Sequence, residues 1–344
     1  MVKVLIVEDS PVMQELLAYT LSSDPAISIT GIAANGEEAL KLLNKEKPDV
    51  IAMDWQMPKL NGLLTTIKIM ETNPIPIVIV TGSLAVNDNA ITFSLMEAGA
   101  LAIVKKPHSI NHKDYKNDAK KLIESLKLMS EVKMVRRSTP RPKVQIPNKL
   151  LIDKRIKKEI EIVVIGASTG GPLILQKILT GLPKDILVPI LIVQHITQGF
   201  VNGFVEWLGK TSDLPIHVAT HGDKLIAGHV YVAPDDCHMG VILGPRVFLS
   251  KHNSGIGLRP SVAYLFKTAA ENFGSRGVGI LLSGMGSDGA SELKLMKDSG
   301  AITIAQDKES SVVHGMPGEA IKLGAAKYVL SPEEIISLLM VLIK

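Results

Sequence analysis

One stretch of the chain constrains its fold more than any other. An apolar run rich in β-branched residues, 162–165, breaks into a Gly-x-Ser-x-Gly turn at 166–170, and a helical pattern of apolar residues follows from Leu173. A strand that turns directly into a helix predicts an α/β fold, with the hydroxyl of Ser168 exposed beside N–H groups at a helix start. This geometry suits a nucleophile that attacks a carbonyl carbon. It would equally suit a cradle for a phosphate group.

The length and composition of the chain agree with a two-domain α/β protein. Its 344 residues are enough for two domains, and 46% hydrophobic residues with only 4% aromatics favour buried parallel strands. The single cysteine, Cys237, excludes a disulfide framework and a multi-cysteine zinc site. No apolar run approaches the roughly 18 residues of a membrane span, and the N-terminus has the pattern of a strand, so we expect a cytoplasmic protein without membrane insertion.

The first half of the chain alternates strand-like and helical patterns. Helical spacing is present at 12–21 and 37–43. Strands are predicted at 2–7, 27–33, 49–53, 75–80 and 102–104. Five strands that alternate with helices predict a doubly wound parallel sheet.

A second βα series begins near Glu159, with no internal repeat of the first. Its predicted strands are 160–165, 188–193, 216–219, 229–232, 278–282 and 301–305. Between the two series, residues 120–158 carry thirteen Lys and Arg against three acids, and several prolines. Because no aromatics are interleaved for base stacking, we interpret this tract as a solvated linker and expect no nucleic-acid partner. The predicted domains are 1–128 and 159–344, joined by a basic linker at 129–158.

Carboxylates stand at the ends of two predicted strands in the first half. Glu8 and Asp9 follow the first strand, and Asp54 follows the third. Ligands bind at that edge of open parallel sheets, and three converging carboxylates predict a hard cation such as Mg²⁺ between them. Thr81 and Lys106 end two further strands, where a hydroxyl and an ammonium could bind phosphoryl oxygens.

This pattern resembles the response-regulator receiver domain, a flavodoxin-like fold. The matching motifs are Glu8-Asp9, Met53-Asp54-Trp-Gln-Met-Pro58-Lys-Leu-Asn-Gly62, Thr81-Gly82 and Lys106-Pro107. The resemblance implies that Asp54 accepts a phosphoryl group from a sensor histidine kinase while Glu8, Asp9 and Asp54 hold Mg²⁺. It further implies that Thr81 and Lys106 sense the aspartyl phosphate.

In the second half, Ser168 needs a base and a group that orients the base. His195 is the best-placed histidine, because it ends an apolar run and so reaches the same sheet edge. Asp288 lies in a glycine-rich turn that follows another strand, where the N–H of Met285 could face an oxyanion. The order Ser, His, Asp differs from that of the α/β-hydrolases.

These features closely resemble the chemotaxis protein-glutamate methylesterases, which also act as protein-glutamine deamidases. The matching motifs are Gly166-Ala-Ser-Thr-Gly-Gly171, Gln194-His195, Val232-Ala-Pro234, His238-Met239, Arg259-Pro-Ser-Val262, Gly284-Met-Gly-Ser-Asp-Gly-Ala290, Ala305-Gln-Asp307 and Gly315-Met-Pro317. The resemblance implies a Rossmann-like catalytic domain with Ser168 as nucleophile, His195 as base and Asp288 as orienting acid. Thr169 and Met285 would stabilise the oxyanion.

That resemblance also implies partners and regulation. The substrate would be methylated glutamates on the cytoplasmic helices of chemoreceptors, and the phosphodonor would be the histidine kinase of the chemotaxis system. Only the receiver would need Mg²⁺, and the esterase reaction would need no cofactor. We expect the unphosphorylated receiver to limit access of receptor helices until Asp54 is phosphorylated.

Three other functions remain to be weighed. Gly284-x-Gly286-x-x-Gly289 follows a strand and is followed at a plausible distance by Asp307, a pattern typical of NAD-binding oxidoreductases. That interpretation leaves Ser168 and His195 unexplained. A DNA-binding regulator would need a helix-turn-helix pattern, which does not follow the receiver. A scaffold without catalysis would not need Ser168, His195 and Asp288 together.

Overall fold

The computed structural model describes residues 1–82, 89–132, 134, 159–251 and 258–343, with only the backbone described at 89–92. The chain divides into two compact units, Met1–Pro140 and Arg141–Lys344. Almost all of the predicted linker lies outside the described residues, so its bounds stay a prediction. Among the described residues, no helix combines the length and apolar character needed to cross a membrane.

The first unit is a five-stranded parallel sheet with helices between the strands. In chain order the elements are β1 (Val2–Val7), α1 (Pro11–Ser22), β2 (Ile27–Ala33), α2 (Gly36–Leu43), β3 (Val50–Met53), α3 (Gly62–Thr72), β4 (Ile77–Thr81), α4 (Asn89–Ala98), β5 (Ala102–Lys105) and α5 (Tyr115–Ser130). The strand order is β2-β1-β3-β4-β5, the flavodoxin-like order. From β1 the chain first adds β2 on one side and then β3, β4 and β5 on the other, so the topological switch point lies between β1 and β3. Ligands bind in the crevice at the carboxyl ends of the two strands at such a point.

The sequence predicted all five strands of this unit, with ends that differ by two residues at most. β3 and β4 are buried along their whole length, which is why they consist of continuous apolar residues. The helix starts are also encoded locally. The Asn35 side chain accepts hydrogen bonds from the N–H groups of Glu37 and Glu38 at the start of α2, and Asn61 caps α3 in the same way.

The second unit contains a seven-stranded parallel sheet. Its elements are β6 (Ile162–Ala167), α6 (Gly171–Gly181), β7 (Ile190–Gln194), α7 (Val201–Thr211), β8 (Ile216–Val218), β9 (Val230–Val232), β10 (His238–Ile242), β11 (Arg246–Ser250), α8 (Val262–Phe273), a short 3₁₀ helix (Gly274–Arg276), β12 (Gly277–Leu281), α9 (Ala290–Asp298), β13 (Ile302–Gln306), α10 (Met316–Lys322), β14 (Tyr328–Leu330) and α11 (Pro332–Leu342). The strand order is β14-β13-β12-β6-β7-β9-β8, so the winding reverses between β6 and β12. Both domains therefore have the predicted doubly wound parallel fold.

Three strands of this unit were missed by the sequence analysis. β14 adds an edge to the parallel sheet, and β10 and β11 form a separate antiparallel hairpin. The N–H of Val241 in β10 donates to the Thr268 hydroxyl of α8, and Asn272 donates to the carbonyl oxygen of Val241. The hairpin thus packs against the outer helix α8 rather than joining the main sheet.

Candidate active sites

Ser168 lies at the predicted corner between β6 and α6. Its N–H donates to the carbonyl oxygen of Ser283, and its own carbonyl oxygen accepts the N–H of Gly171, the first residue of α6. Gly170 has a φ of +79°, which disfavours any residue with a side chain, and a Cβ there would lie 2.5 Å from that of Val312. The tight turn is therefore built around glycine and presents Ser168 at the carboxyl edge of the sheet.

His195 and Asp288 come together at this same edge. His195 directly follows β7, its N–H donates to the carbonyl oxygen of Ala167, and its Nε2 lies 2.8 Å from Oδ2 of Asp288. β7 and β12 flank β6 on either side, so the three residues follow three neighbouring strands. The structure brings together the histidine and acid that the sequence predicted as partners.

Asp288 is fixed as a carboxylate by donors from α8. Its oxygens accept the Ser261 hydroxyl at 2.9 Å and the N–H groups of Val262 and Ala263 at 2.8 and 3.0 Å. Burial acts to raise the pKa of Asp288, but the hydrogen bond and charge of His195 and the two backbone donors hold this pKa below its ordinary value. The start of α8, where the helix dipole is positive, therefore keeps the carboxylate ionised beside His195.

This contact determines which nitrogen of His195 can act as a base. A carboxylate only accepts, so Nε2 carries the proton in that hydrogen bond and Nδ1 holds the free lone pair. Within the described part of the chain, no hydrogen bond joins the Ser168 hydroxyl to His195. Catalytic hydrogen bonds often form only once substrate is bound.

Hydrogen bonds to the carbonyl oxygens fix the orientation of two peptide groups at this site, Ser168–Thr169 and Gly284–Met285. The carbonyl oxygen of Ser168 accepts from Nε2 of Gln194 and from Gly171, and that of Gly284 accepts the N–H groups of Gly315 and Met316. Because a peptide is planar and trans, the next N–H in each plane points the opposite way. These are the N–H groups of Thr169 and Met285, the predicted oxyanion donors, and neither has an acceptor among the described residues.

Close packing brings the second of these planes, the Gly284–Met285 peptide, against Ser168. A Cβ at Gly284 would lie 2.7 Å from the Cβ of Ser168, and one at Gly315 would lie 2.7 Å from the carbonyl oxygen of Gly284. Only glycine at both positions allows these backbones to approach. The turn after β12 therefore contacts Ser168 through Gly284, the residue before the predicted oxyanion donor Met285.

Two buried polar side chains hold the turns together, and the sequence analysis gave neither of them a role. Gln194 Nε2 donates to the carbonyl oxygens of both Ser168 and His195 at 2.8 Å. The Ser283 hydroxyl donates to the carbonyl oxygen of Thr169 at 2.8 Å and accepts from the N–H of Val313. A sequence signal existed, because each of them is a polar residue that ends an apolar run and directly precedes a residue or turn predicted to belong to the site.

In the first unit, the predicted carboxylates converge at the carboxyl ends of β1 and β3. Candidate ligand oxygens of Glu8, Asp9 and Asp54 all lie within 4.8 Å of one another, with Glu8 and Asp54 buried and Asp9 exposed. Hard oxygen donors with one solvent-facing member are the ligand set that Mg²⁺ prefers, since it keeps several waters. The residues present therefore fit the ion.

Lys106 offsets part of the charge of this cluster. Its Nζ lies 2.7 Å from Oε2 of Glu8 and 2.7 Å from Oδ2 of Asp54. Burial acts to lower the pKa of Lys106, but hydrogen bonds to Asp54 and Glu8 outweigh it and raise this pKa above its ordinary value. Burial, together with the charge of Asp54, raises the pKa of Glu8 despite the bond to Lys106.

Thr81, the other residue predicted to sense a phosphoryl group, ends β4 and is buried. Its hydroxyl oxygen accepts a hydrogen bond of 3.1 Å from the indole N–H of Trp55, the residue after Asp54. The sequence analysis gave Trp55 no role.

Comparison with known proteins assigns both units. A family model described as CheB methylesterase matches residues 163–339, and one described as response regulator receiver domain matches residues 4–113. A protein-glutamate methylesterase/protein-glutamine glutaminase of Syntrophus aciditrophicus is 51% identical over 338 residues, which cover 97% of this chain and 96% of the relative. The chain belongs to the CheB methylesterase family.

Other relatives agree with this assignment. A protein of the same name from Nitrosospira multiformis is 52% identical over 338 residues, covering 97% of this chain and 95% of the relative. The crystal structure of the Thermotoga maritima CheB methylesterase catalytic domain aligns with a TM-score of 0.52 and 40% identity, covering 54% of this chain and 99% of that domain. The resemblance drawn from the sequence motifs is therefore confirmed.

The glycine-rich turn at 284–289, whose spacing suggested NAD binding, belongs to the methylesterase unit. As in a dinucleotide-binding fold, this turn joins a strand to a helix, β12 to α9. The turn, however, is packed against Ser168 at Gly284 and against Gly315 behind it. The comparisons lend no support to the NAD-binding oxidoreductase that the glycine spacing suggested.

Proposed function

We propose that this protein hydrolyses glutamate methyl esters on the cytoplasmic helices of chemoreceptors and deamidates glutamine side chains there, under control of phosphorylation at Asp54. Its relatives are named for both activities. The observation that supports the proposal best is the His195–Asp288 contact beside Ser168, at the ends of three neighbouring strands. Cytoplasmic location belongs to the same proposal, since the substrate helices lie there.

The proposed reaction has two half-reactions, and His195 acts first as base and then as acid in each of them. Ser168 Oγ attacks the ester carbonyl while Nδ1 of His195 takes its proton, and Asp288 stabilises the imidazolium formed. The N–H groups of Thr169 and Met285 donate to the oxyanion. His195 then protonates the departing methoxide, which leaves as methanol, or the departing amide nitrogen, which leaves as ammonia. A water attacks the acyl-enzyme with His195 again as base, restoring Ser168 and a free glutamate.

In the receiver, we propose that Glu8, Asp9 and Asp54 hold Mg²⁺ and that Asp54 takes the phosphoryl group from the chemotaxis histidine kinase. When bound, Mg²⁺ would offset the charge of the carboxylates and of the incoming phosphoryl oxygens. Lys106 pairs with both buried carboxylates before phosphorylation, so it must redistribute its hydrogen bonds when Asp54 changes its charge. Thr81 would donate its hydroxyl proton to a phosphoryl oxygen.

The test is methanol release from methylated chemoreceptor, with and without Mg²⁺ and a small acyl phosphate. We expect release by the wild type, an increase with the phosphodonor, and a loss of about three orders of magnitude or more with Ser168→Ala. Asp54→Asn should keep the basal rate and lose the increase. Release that is independent of Ser168 would refute the esterase assignment, and an unchanged increase in Asp54→Asn would refute the phosphorylation site.

A further inference from the structure

A second group of metal-ligating side chains lies in the turns between β5 and α5. His108, His112 and Asp114 present candidate ligand atoms that all lie within 4.8 Å of one another. The two imidazole rings are stacked, with centroids 4.2 Å apart and planes inclined by 14°. None of these residues takes part in the esterase or phosphoryl chemistry described above.

The hydrogen bonds of His108 show which of its nitrogens holds the lone pair that a metal would need. Its Nδ1 lies 2.5 Å from Oδ2 of Asp118, in the first turn of α5. Since the carboxylate accepts, Nδ1 carries the proton and Nε2 holds the lone pair. Nζ of Lys105 lies 3.3 Å from that Nε2, so a cation already faces it. Metal-bound histidines typically donate their other ring N–H to a carboxylate in this way.

His112 and Asp114 supply the other two ligands. Nδ1 of His112 accepts the backbone N–H of Asp114 at 3.2 Å, which identifies Nδ1 as the nitrogen with the lone pair. The same Nδ1 lies 3.6 Å from Oδ2 of Asp114. Two ligands that are each about 2.1 Å from a tetrahedral metal lie about 3.4 Å apart, so the separation of this pair already suits chelation. Binding also requires the exposed His112 ring to turn out of its stack on His108, so that both lone pairs reach one ion, and its Nδ1 to release the N–H of Asp114.

We propose that His108, His112 and Asp114 form a binding site for a divalent transition-metal ion such as Zn²⁺, with Asp118 orienting His108. Two imidazoles and one carboxylate favour a borderline-soft cation, whereas the all-oxygen set of Glu8, Asp9 and Asp54 favours a hard one. Binding requires the flexible Lys105 side chain to turn away from His108. The bound ion would cross-link residues 108–114, a segment that begins two residues after Lys106.

The experiment is a Zn²⁺ titration of the untagged full-length chain, stripped of metal and kept in excess Mg²⁺ so that the all-oxygen cluster is occupied. Calorimetry gives the stoichiometry and affinity, and Co²⁺ in place of Zn²⁺ gives a visible absorption band that reports nitrogen ligation. We expect one equivalent of high-affinity binding in the wild type. His112→Ala and Asp114→Asn should each weaken it at least tenfold, and Asp118→Asn by about 10- to 100-fold.

Lys113→Gln is the matched control, because Lys113 lies between two ligands on the same exposed turn. It should keep wild-type stoichiometry and affinity within about threefold, a change of less than 1 kcal/mol. His112 and Asp114 are exposed, so their variants should fold normally, which circular dichroism checks. Equal Zn²⁺ binding by the wild type and a His112→Ala/Asp114→Asn double variant, or no binding by the wild type, would overturn the proposal.

Discussion

At the residue scale, the esterase site is organised by side chains that never need to touch the substrate. Gln194 holds the carbonyl oxygens of Ser168 and His195 with one amide group. The opposite amide orientation would place an oxygen against two carbonyl oxygens, so the side chain has only one favourable arrangement. Through the planar Ser168–Thr169 peptide, Gln194 sets the direction of the Thr169 N–H, the proposed oxyanion donor.

Gln194→Met keeps the side-chain volume and removes both donors. We expect kcat to fall by about 10- to 100-fold with little change in KM, because a misdirected oxyanion donor costs part of what a lost donor costs. Gln194→Glu should be at least as damaging, since it places an oxygen against both carbonyls. Steady-state kinetics on methylated receptor measure both constants. A lower unfolding temperature with unchanged kcat would show that Gln194 serves stability alone.

The lowered pKa of Asp288 predicts a pH-dependent contribution to stability. A carboxyl whose pKa is lower in the folded state stabilises the fold above its unfolded pKa of about 3.9, and this contribution is lost as the pH falls through the folded value. Thermal unfolding of the wild type and Asp288→Asn should therefore differ most near neutral pH. The difference should shrink below about pH 4. A difference that grows on acidification would contradict the sign of the shift.

At the scale of elements, the start of α8 packs against Asp288, the proposed orienting residue of the esterase site. Its first N–H groups donate to Asp288, and Val262 at its start fits between two glycines. A Cβ at Gly166 would lie 2.2 Å from Cγ1 of Val262, and one at Gly289 would lie 2.4 Å from it. β6, the turn after β12 and α8 are thus held together by packing that also sets the hydrogen bonds of Asp288.

Gly166→Ala should therefore impair both stability and catalysis. The added methyl would displace the start of α8, at a cost of about 1–3 kcal/mol in the free energy of unfolding. It would also loosen the donors to Asp288 and lower kcat. Unfolding and steady-state kinetics measure the two effects, and a Gly166→Ala/Val262→Ala double variant, which removes the clash, should recover part of both. If the second substitution makes both worse, the clash is not the cause.

At the scale of the whole molecule, a phosphoryl switch and a serine esterase are carried on one chain as two separate α/β units. The two sites follow one structural rule, since each lies at the carboxyl edge of its sheet where the winding reverses. The proposed control needs the receiver to restrain the esterase until Asp54 is phosphorylated. Their covalent connection keeps the receiver at a high effective concentration.

Deletion of residues 1–128 tests this restraint. We expect the remaining chain to release methanol faster than the unphosphorylated full-length protein and to be insensitive to acyl phosphate. The deleted protein must first be shown to fold, by circular dichroism and a cooperative unfolding transition. Ser168→Ala in the same deletion provides the background rate. An equal rate in the folded deletion and the unphosphorylated full-length protein would exclude restraint by the receiver.

The amino-acid sequence by itself determined the strands of both main sheets except β14, and the chemical groups at their ends. Those patterns are local, because a buried parallel strand is a continuous apolar run and a strand-to-helix turn needs glycine at set positions. The β10–β11 hairpin was missed although Gly244-Pro245 indicated its turn, because its strands pair only with each other and lie outside the βα alternation on which the prediction relied.

Only the tertiary structure decided which side chains meet. The strand order β12-β6-β7 follows from long crossovers, and it brings Asp288 to His195 across 93 residues of sequence. The donors Ser261 and Ser283, the bridging amide of Gln194 and the indole of Trp55 depend on lateral neighbours and on side-chain direction. Sequence periodicity does not predict these contacts. Hydrogen bonds between distant segments depend on side-chain packing, which forms only when the helices pack against the sheet.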